Sequence, residues 1–485
     1  MWTSHTTCAE SWNRTRTFSI RSSFLRHFST SNATELDLDG RPEKWSKQRL
    51  AETTQPEQMK LVIGDVARRL GRQWDMLEDL QQFTRNIPQQ HDGRINTNDQ
   101  RRLQNSQVQV LETISKNIQN LQRLHRDTQR QCQQFYRNFP QNDDDDDNDK
   151  WSPLFQRQLG QACKEIYARH ALTIETTAEI VIDLRGILVD RQDPNENDEA
   201  DESTIPETML QVQSIVTTFL QSRLMTQLLC DHIVDCMLHR ERKPHGAISV
   251  GVNVRELAQS AIFEARHLVE ASFIPITDPR DHPKEEPASA ENGQDVEPPE
   301  PPHVHCIVEE SAVTATLVRP WFQYALVELL KNGLAVTMER NRRDHEHSPY
   351  WPLFLHIYET EQFLVVKVLD QGGGLDGPRR HTSKAQPDSF CFEFANRRDK
   401  WDRLDDQQSY AMVSSPIRGL GVGLALSRLH LRQFGGDLTL TDHRPADERT
   451  NLPNNQELKR GVTATLLLAK DFDRMETDLY YTTGR

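Results

Sequence analysis

The sequence predicts an α + α/β protein: a bundle of four helices, then an α/β sandwich with a mixed sheet and helices on one face. Three observations carry that expectation. Across 57–240 the apolar residues recur every three or four positions, which is the helical period. From about 247 short alternating runs mix with helical ones, without the regular alternation that builds a purely parallel sheet. At 485 residues the chain is also long enough for two or three domains. The expected boundaries are a leader at 1–30, the bundle at 31–245, the sandwich at 246–470 and a short tail at 471–485.

The first 30 residues hold Arg14, Arg16, Arg21 and Arg26, many Ser and Thr, and a single acid, Glu10. That composition marks a mitochondrial import segment, and "RHFST" (26–30) resembles a matrix-protease cleavage site. The first bundle helix is read from Val66, Leu70, Trp74, Leu77 and Leu80, the second from Val110, Ile114, Ile118, Leu121 and Leu124. A third is expected over about 153–188, after the acidic run "NDDDDDND", which reads as a solvated loop. Pro206–Glu207 opens a fourth of about 30 residues.

In the second half, "AISVGVNV" alternates like a strand and "RELAQSAIFEARHLVEASF" reads as a helix. A stretch rich in Pro and acids, 278–302, is expected to be a flexible insertion within this domain. Then follow a strand at 313–318, a helix containing "ELLKNGLAVTMER", strands at 353–358 and 363–369, a long loop, a helix at 424–434, and strands at 437–441 and 462–468.

Bulk properties exclude several classes. A formal charge of −14 disfavours a nucleic-acid binder, which needs a basic face for phosphates. No apolar run approaches the ~18 residues of a membrane span. Seven scattered cysteines without CxxC spacing suggest reduced thiols, not a disulfide framework or a zinc site.

Four stretches carry candidate chemistry. Glu328 and Asn332 are four apart, so they share one helix face, flanked by Leu329, Leu330, Leu334 and Val336. Such a pair is either a satisfied hydrogen-bonding pair inside a core or half of a site. "FLVVKVLDQGGGL" ends an apolar strand at Asp370 and runs into Gly372, Gly373 and Gly374, which permit a sharp turn and close approach of a ligand. "RGLGVGLALSRLHLRQFGG" places Gly419, Gly421 and Gly423 before a helix, where free N–H groups and the helix dipole suit a phosphate. "RGVTATLLLAK" sets Gly461 before a strand, with Thr463 offering a hydroxyl.

In this order the stretches resemble the ATP-binding domain shared by histidine kinases, Hsp90-type chaperones, type II topoisomerases and MutL. The chain resembles more closely the mitochondrial 2-oxoacid dehydrogenase kinases, a family that includes the pyruvate and branched-chain enzymes. The likeness covers roughly 55–470 and is most specific at 321–340, 363–375 and 416–440. "FCFEFA" (390–395) is similar to the start of the family's ATP lid, and "YARHALTIETTAEIV" to its histidine-bearing helix, here with His170.

The resemblance implies ATP-dependent phosphorylation of serine on the α subunit of the decarboxylase component. Glu328 would orient or deprotonate the hydroxyl, and Asn332 would ligate Mg²⁺. Asp370 would read adenine beside Gly372 and Gly374. Gly419, Leu420, Gly421, Val422, Gly423 and Leu424 would cradle phosphates, with Lys331 as a nearby positive charge. Ala395 and Asn396 would lie in the lid, and Thr463 near the nucleotide. His170 would hydrogen-bond Glu328 and tune it. Further implications are a matrix location, a lipoyl-domain partner on the acyltransferase core, and a homodimer.

The chain also departs from the family pattern. Ala335 stands where the family has arginine, Ala395–Asn396 where it has Ser-Thr, and Val462 directly after Gly461. The family's Asp-Trp tail has no counterpart in "DFDRMETDLYYTTGR". Two alternatives therefore stay open: a two-component histidine kinase, and a non-catalytic ATP-binding scaffold.

Overall fold

The computed structural model describes residues 42–87, 98–139, 152–189, 207–273, 300–312, 314–343, 351–375, 423–443 and 459–474. The helical part comprises α1 (Lys47–Glu52), α2 (Met59–Asn86), α3 (Asn98–Arg137), α4 (Pro153–Arg169), α5 (Thr173–Val189) and α6 (Glu207–Leu238). Ser46 and Ser152 cap α1 and α4, their hydroxyls accepting from Arg49 N and Phe155 N; Pro153 opens α4. The expected single helix at 153–188 is two helices. The chain breaks at 170–172, where His170 caps α4 and Arg223 of α6 donates to its carbonyl at 2.9 Å. Leu70, Leu77 and Leu80 of α2 join Ile114, Ile118 and Leu121 of α3 in the buried core. Trp74 stays half-exposed, with Arg126 stacked on its ring.

The second part begins with β1 (Ser249–Asn253) and α7 (Val254–Phe273). It continues through β2 (Val304–Val308), β3 (Thr314–Leu317), α8 (Arg319–Arg343), β4 (Leu353–Glu359) and β5 (Phe363–Leu369). It ends with α9 (Gly423–Arg432), β6 (Asp437–His443) and β7 (Gly461–Ala469). β1 and β3 form an antiparallel pair; the main sheet has five strands in the order β2-β4-β5-β7-β6. It is mixed, since β2 runs parallel to β4 while the other neighbours are antiparallel. The edge strand β2 was not expected from the sequence. Val366, Val368, Ala464 and Leu466 face α7 and α8 in one core, whereas Phe354 and Leu369 pack on the opposite face.

The two parts share buried contacts. Val318, Trp321, Ala425, Leu426, Leu429 and Phe434 lie in the same apolar cluster as the helices of the first part. The N-terminal segment ties them further: Lys47 Nζ donates to Ala469 O at 2.8 Å and Gln48 N to Phe472 O at 3.0 Å. The bulk of the expected insertion, and the loop holding Ala395, Asn396, Gly419, Leu420, Gly421 and Val422, lie outside the described residues. Among the described residues no helix is long and apolar enough to cross a membrane.

Candidate active site

The stretch "ELLKNGLAVTMER" is helical because its Leu330, Leu334 and Met338 continue the helical spacing of Leu326 just before it, and all four are buried in the core shared with the sheet. That burial turns Glu328 and Asn332 to the flank of the helix, both partly exposed. Lys331 Nζ lies 2.5 Å from Glu328 Oε1. Tyr324, one turn before, is also close: burial first, then the Glu328 charge, raises its hydroxyl well above the usual range. Among the described residues the Asn332 amide has no hydrogen-bond partner.

Gly423 meets this group from another element. It is the first residue of α9, and a methyl group on it would overlap Glu328 Oε2. The first turn of α9, with its unpaired N–H groups and positive dipole end, therefore sits against the Glu328 carboxylate. Leu424 follows and packs partly into the core beneath α8. At its far end, α9 is fastened by Arg428 and Arg432. Both donate to Asp437, the first residue of β6, at 2.8 and 2.9 Å.

Asp370 closes the third side. It lies just past β5, and its Oδ1 accepts from Gly372 N at 2.8 Å and Val462 N at 3.2 Å. Burial raises its pKa, opposed by those two donors. Gly333 of α8 crosses directly over it: a Cβ at Gly333 would stand 3.4 Å from Asp370 Cβ. The same Cβ would stand 2.8 Å from Leu353 Cδ2, so a small residue here lets α8 lie close over the ends of β4 and β5. The turn beyond needs glycine at Gly373 and Gly374, where φ is 103° and 94°.

Residues that the motifs did not flag hold this turn. Arg340 Nη1 donates to Gln371 O at 3.0 Å and to Arg460 O at 2.7 Å. Gln371 is gripped by Thr337 Oγ1, Pro352 O and Lys459 N. Arg340 was foreseeable only as a basic residue two turns beyond Asn332; Gln371 carried no signal.

Thr463 does not join the group. It pairs with Leu369 across β5 and β7, and opposed residues share a face, so it points away from α8 with Leu369 and Phe354. Its hydroxyl is 3.0 Å from His443 Nδ1. Val462, whose N–H reaches Asp370, occupies the position that the resemblance gave to a threonine.

With that geometry in view, similar proteins of known name are informative. Its relatives are mitochondrial pyruvate dehydrogenase kinases. The enzyme of Schizosaccharomyces pombe is 24% identical over 232 residues, 47% of each chain. That of Drosophila melanogaster is 32% identical over 117 residues, 24% of this chain and 25% of the other. Human isozyme 1 is 25% identical over 199 residues, 41% of this chain and 37% of the other. The chain spans about half the length, or less, of the curated relatives it matches. No family model matches it. A solved mycobacterial sensor histidine kinase, MprB, aligns at 13% identity and a TM-score of 0.24, over 45% of this chain and 95% of the other, too loosely to carry an argument. The resemblance to mitochondrial oxoacid dehydrogenase kinases read from the motifs thus stands also on sequence similarity over a quarter to a half of the chain.

His170 departs from the expected contact with Glu328. Its Nε2 lies 3.0 Å from Thr128 Oγ1, whose own hydroxyl donates to Leu124 O, so the imidazole donates to Thr128. Its ring meets His125 edge-on at 4.8 Å. Burial, then His125, Arg223 and Arg169, push its pKa down to about 2, so it is a neutral structural ring within the helical part. Among the described residues no three His, Cys, Asp or Glu side chains gather to hold a metal. A magnesium ion carried by phosphates needs only one or two protein oxygens, and the unpartnered Asn332 amide fits that demand.

Proposed function

We propose that this chain is an ATP- and Mg²⁺-dependent protein-serine kinase. Its substrate in this reading is the decarboxylase component of a mitochondrial 2-oxoacid dehydrogenase complex, pyruvate dehydrogenase ahead of the branched-chain enzyme. The observation that carries the reading is the meeting of Glu328, the Asp370 turn and the first turn of α9 around α8, in a chain whose relatives are pyruvate dehydrogenase kinases.

The roles follow from position. The Asp370 carboxylate, anchored through Oδ1, presents Oδ2 to the exocyclic amine of adenine, and the glycine turn lets the base approach. The N-terminus of α9 and Lys331 supply positive potential for phosphates. Asn332 would hold magnesium through its amide oxygen, and the ion would supply neutralisation of phosphate charge. Glu328 accepts the proton of the serine hydroxyl as its oxygen attacks the γ-phosphorus and ADP departs. Positioning and charge neutralisation supply most of the rate in such transfers. The import-like composition of 1–30 and the mitochondrial relatives support a matrix location. The lipoyl domain of the acyltransferase core and a second copy of the chain are the partners this reading calls for.

The test is transfer from labelled ATP·Mg²⁺ to purified pyruvate and branched-chain decarboxylase components, with Glu328→Gln alongside. Acid-stable label on serine, lost in the variant, supports the kinase and identifies the complex. ATP binding without label would favour a scaffold, a reading that Ala335 in place of the family's arginine motivates. Acid-labile label on a histidine of the chain itself would point to a two-component kinase.

A further inference from the structure

Three thiols that the proposed reaction does not use lie buried together in the helical part: Cys132 on α3, Cys163 on α4 and Cys230 on α6. The antiparallel course of α4 and α6 sets two of them opposite each other. Arg223 on α6 bonds the carbonyl of His170 at the end of α4. Cys163 is seven residues back from His170, and Cys230 is seven onward from Arg223. Seven residues are about two helical turns, so both cysteines keep the facing side. The helices run close here: Gly160, a turn before Cys163, has Leu238 of α6 in the space its side chain would fill. The neighbouring Cys230 thiol, together with burial, keeps Cys163 protonated. Cys132 is near enough to act electrostatically on Cys163.

Access differs between the partners. Cys230 lines a small, partly open pocket together with Gln73, His170, Arg223 and Thr226. Cys163 lies behind it, outside the lining. A small oxidant entering the pocket therefore reaches Cys230 first.

We propose that Cys163 and Cys230 are a dithiol pair that hydrogen peroxide converts to a disulfide joining α4 to α6. In the first step the Cys230 sulfur takes one peroxide oxygen, giving a sulfenic acid, and the other oxygen leaves as water. In the second the Cys163 sulfur attacks Cys230, forming the S–S bond; its proton leaves with the displaced hydroxide as a second water. The two thiols lose two hydrogens in all, and the peroxide is reduced to water. Because α9 shares its buried core with α6, the link also stiffens the support of Gly423.

The test treats the full chain, folded, with hydrogen peroxide at doses that oxidise the less buried Cys306, followed by non-reducing peptide mapping. The expected product joins the Cys163 and Cys230 peptides and lacks two hydrogens. Dithiothreitol releases it, Cys132→Ser retains it, and Cys163→Ser or Cys230→Ser abolishes it. The thermal unfolding midpoint rises on oxidation and falls back on reduction. Recovery of both cysteines as free thiols would overturn the proposal. So would a link through Cys132, or Cys230 arrested as a sulfinic acid.

Discussion

Lys331 and Glu328 form an ion pair on one face of α8, Nζ to Oε1 at 2.5 Å, with the ammonium nearly buried and the carboxylate largely so. Three residues apart on a helix, they are neighbours by construction. The carboxylate proposed to receive the serine proton is therefore held in place by the same cation proposed to face the phosphates. Lys331→Met removes both roles and leaves Glu328 without its charged partner. A charge-assisted hydrogen bond contributes about 1.5–3 kcal/mol, so phosphoryl transfer should fall by roughly 10- to 100-fold. Steady-state assays on the decarboxylase component measure this. A variant with unchanged kcat would show that the pair is only a helix-surface contact.

Gly423 admits a sharper test of the same group of residues. Its backbone has no left-handed strain to relieve, so the objection to a side chain is purely steric: a methyl there would overlap Glu328 Oε2. Gly423→Ala should displace either the carboxylate or the first turn of α9. The expected result is a loss of transfer of at least ~10-fold, with a thermal midpoint within a few degrees of the parent, since Gly→Ala in a helix is itself mildly stabilising. Wild-type activity in this variant would mean that Glu328 and α9 need not touch during turnover.

Asp370 links the site to pH. Burial raises its pKa, while the N–H groups of Gly372 and Val462 oppose the shift. A carboxyl with a raised folded pKa takes up its proton at higher pH than an ordinary aspartate. Once protonated it is a poorer acceptor for the adenine amine. Nucleotide affinity should therefore weaken on acidification sooner than a solvent-exposed carboxylate would allow. Asp370→Asn keeps an oxygen for the two backbone donors but sets an amide against the amine. It should lower ATP affinity by roughly 10- to 100-fold and flatten the pH profile, as read by titration calorimetry from pH 7.5 downward. A steep profile surviving in the variant would assign the dependence to another group.

The site was legible wherever its signal was local. Glu328 and Asn332 share a face by helical spacing, and Asp370 with its glycines marks a strand end by composition. Features set by distant pairing were hidden. Thr463 looked available, but its face is fixed by registry with Leu369, and a one-residue offset in a strand reverses every side chain. The break after α4 has no glycine or proline to announce it; the His170 carbonyl is held by Arg223, 53 residues away. His170 itself could be read as a site histidine until α3 supplied Thr128. β2 was masked by His303 and His305, which lie tilted against each other, with His305 stacked on Phe354, instead of completing an apolar run.

Buried histidines should govern acid stability. Burial is the first cause that pushes His125 down to about 4, His170 to about 2 and His430 to about 3. In the unfolded chain each titrates near 6.5. Between about pH 6.5 and 4 the unfolded state therefore binds more protons, and stability must fall as pH falls. A fully engaged group contributes about 1.4 kcal/mol per pH unit, so three approach ~4 kcal/mol per unit below about pH 5.5. His430 isolates one share. Its ring stacks on Trp321 at 5.0 Å, meets Tyr324 edge-on, and leaves Nδ1 without a partner. His430→Phe keeps the aromatic packing and removes the titration. Urea denaturation of the two proteins at pH 7, 6 and 5 should show nearly equal stability at pH 7 and a growing advantage for the variant below pH 6. Parallel curves would mean that His430 is already protonated in the folded chain, or that the unfolded chain does not take up its proton in this range.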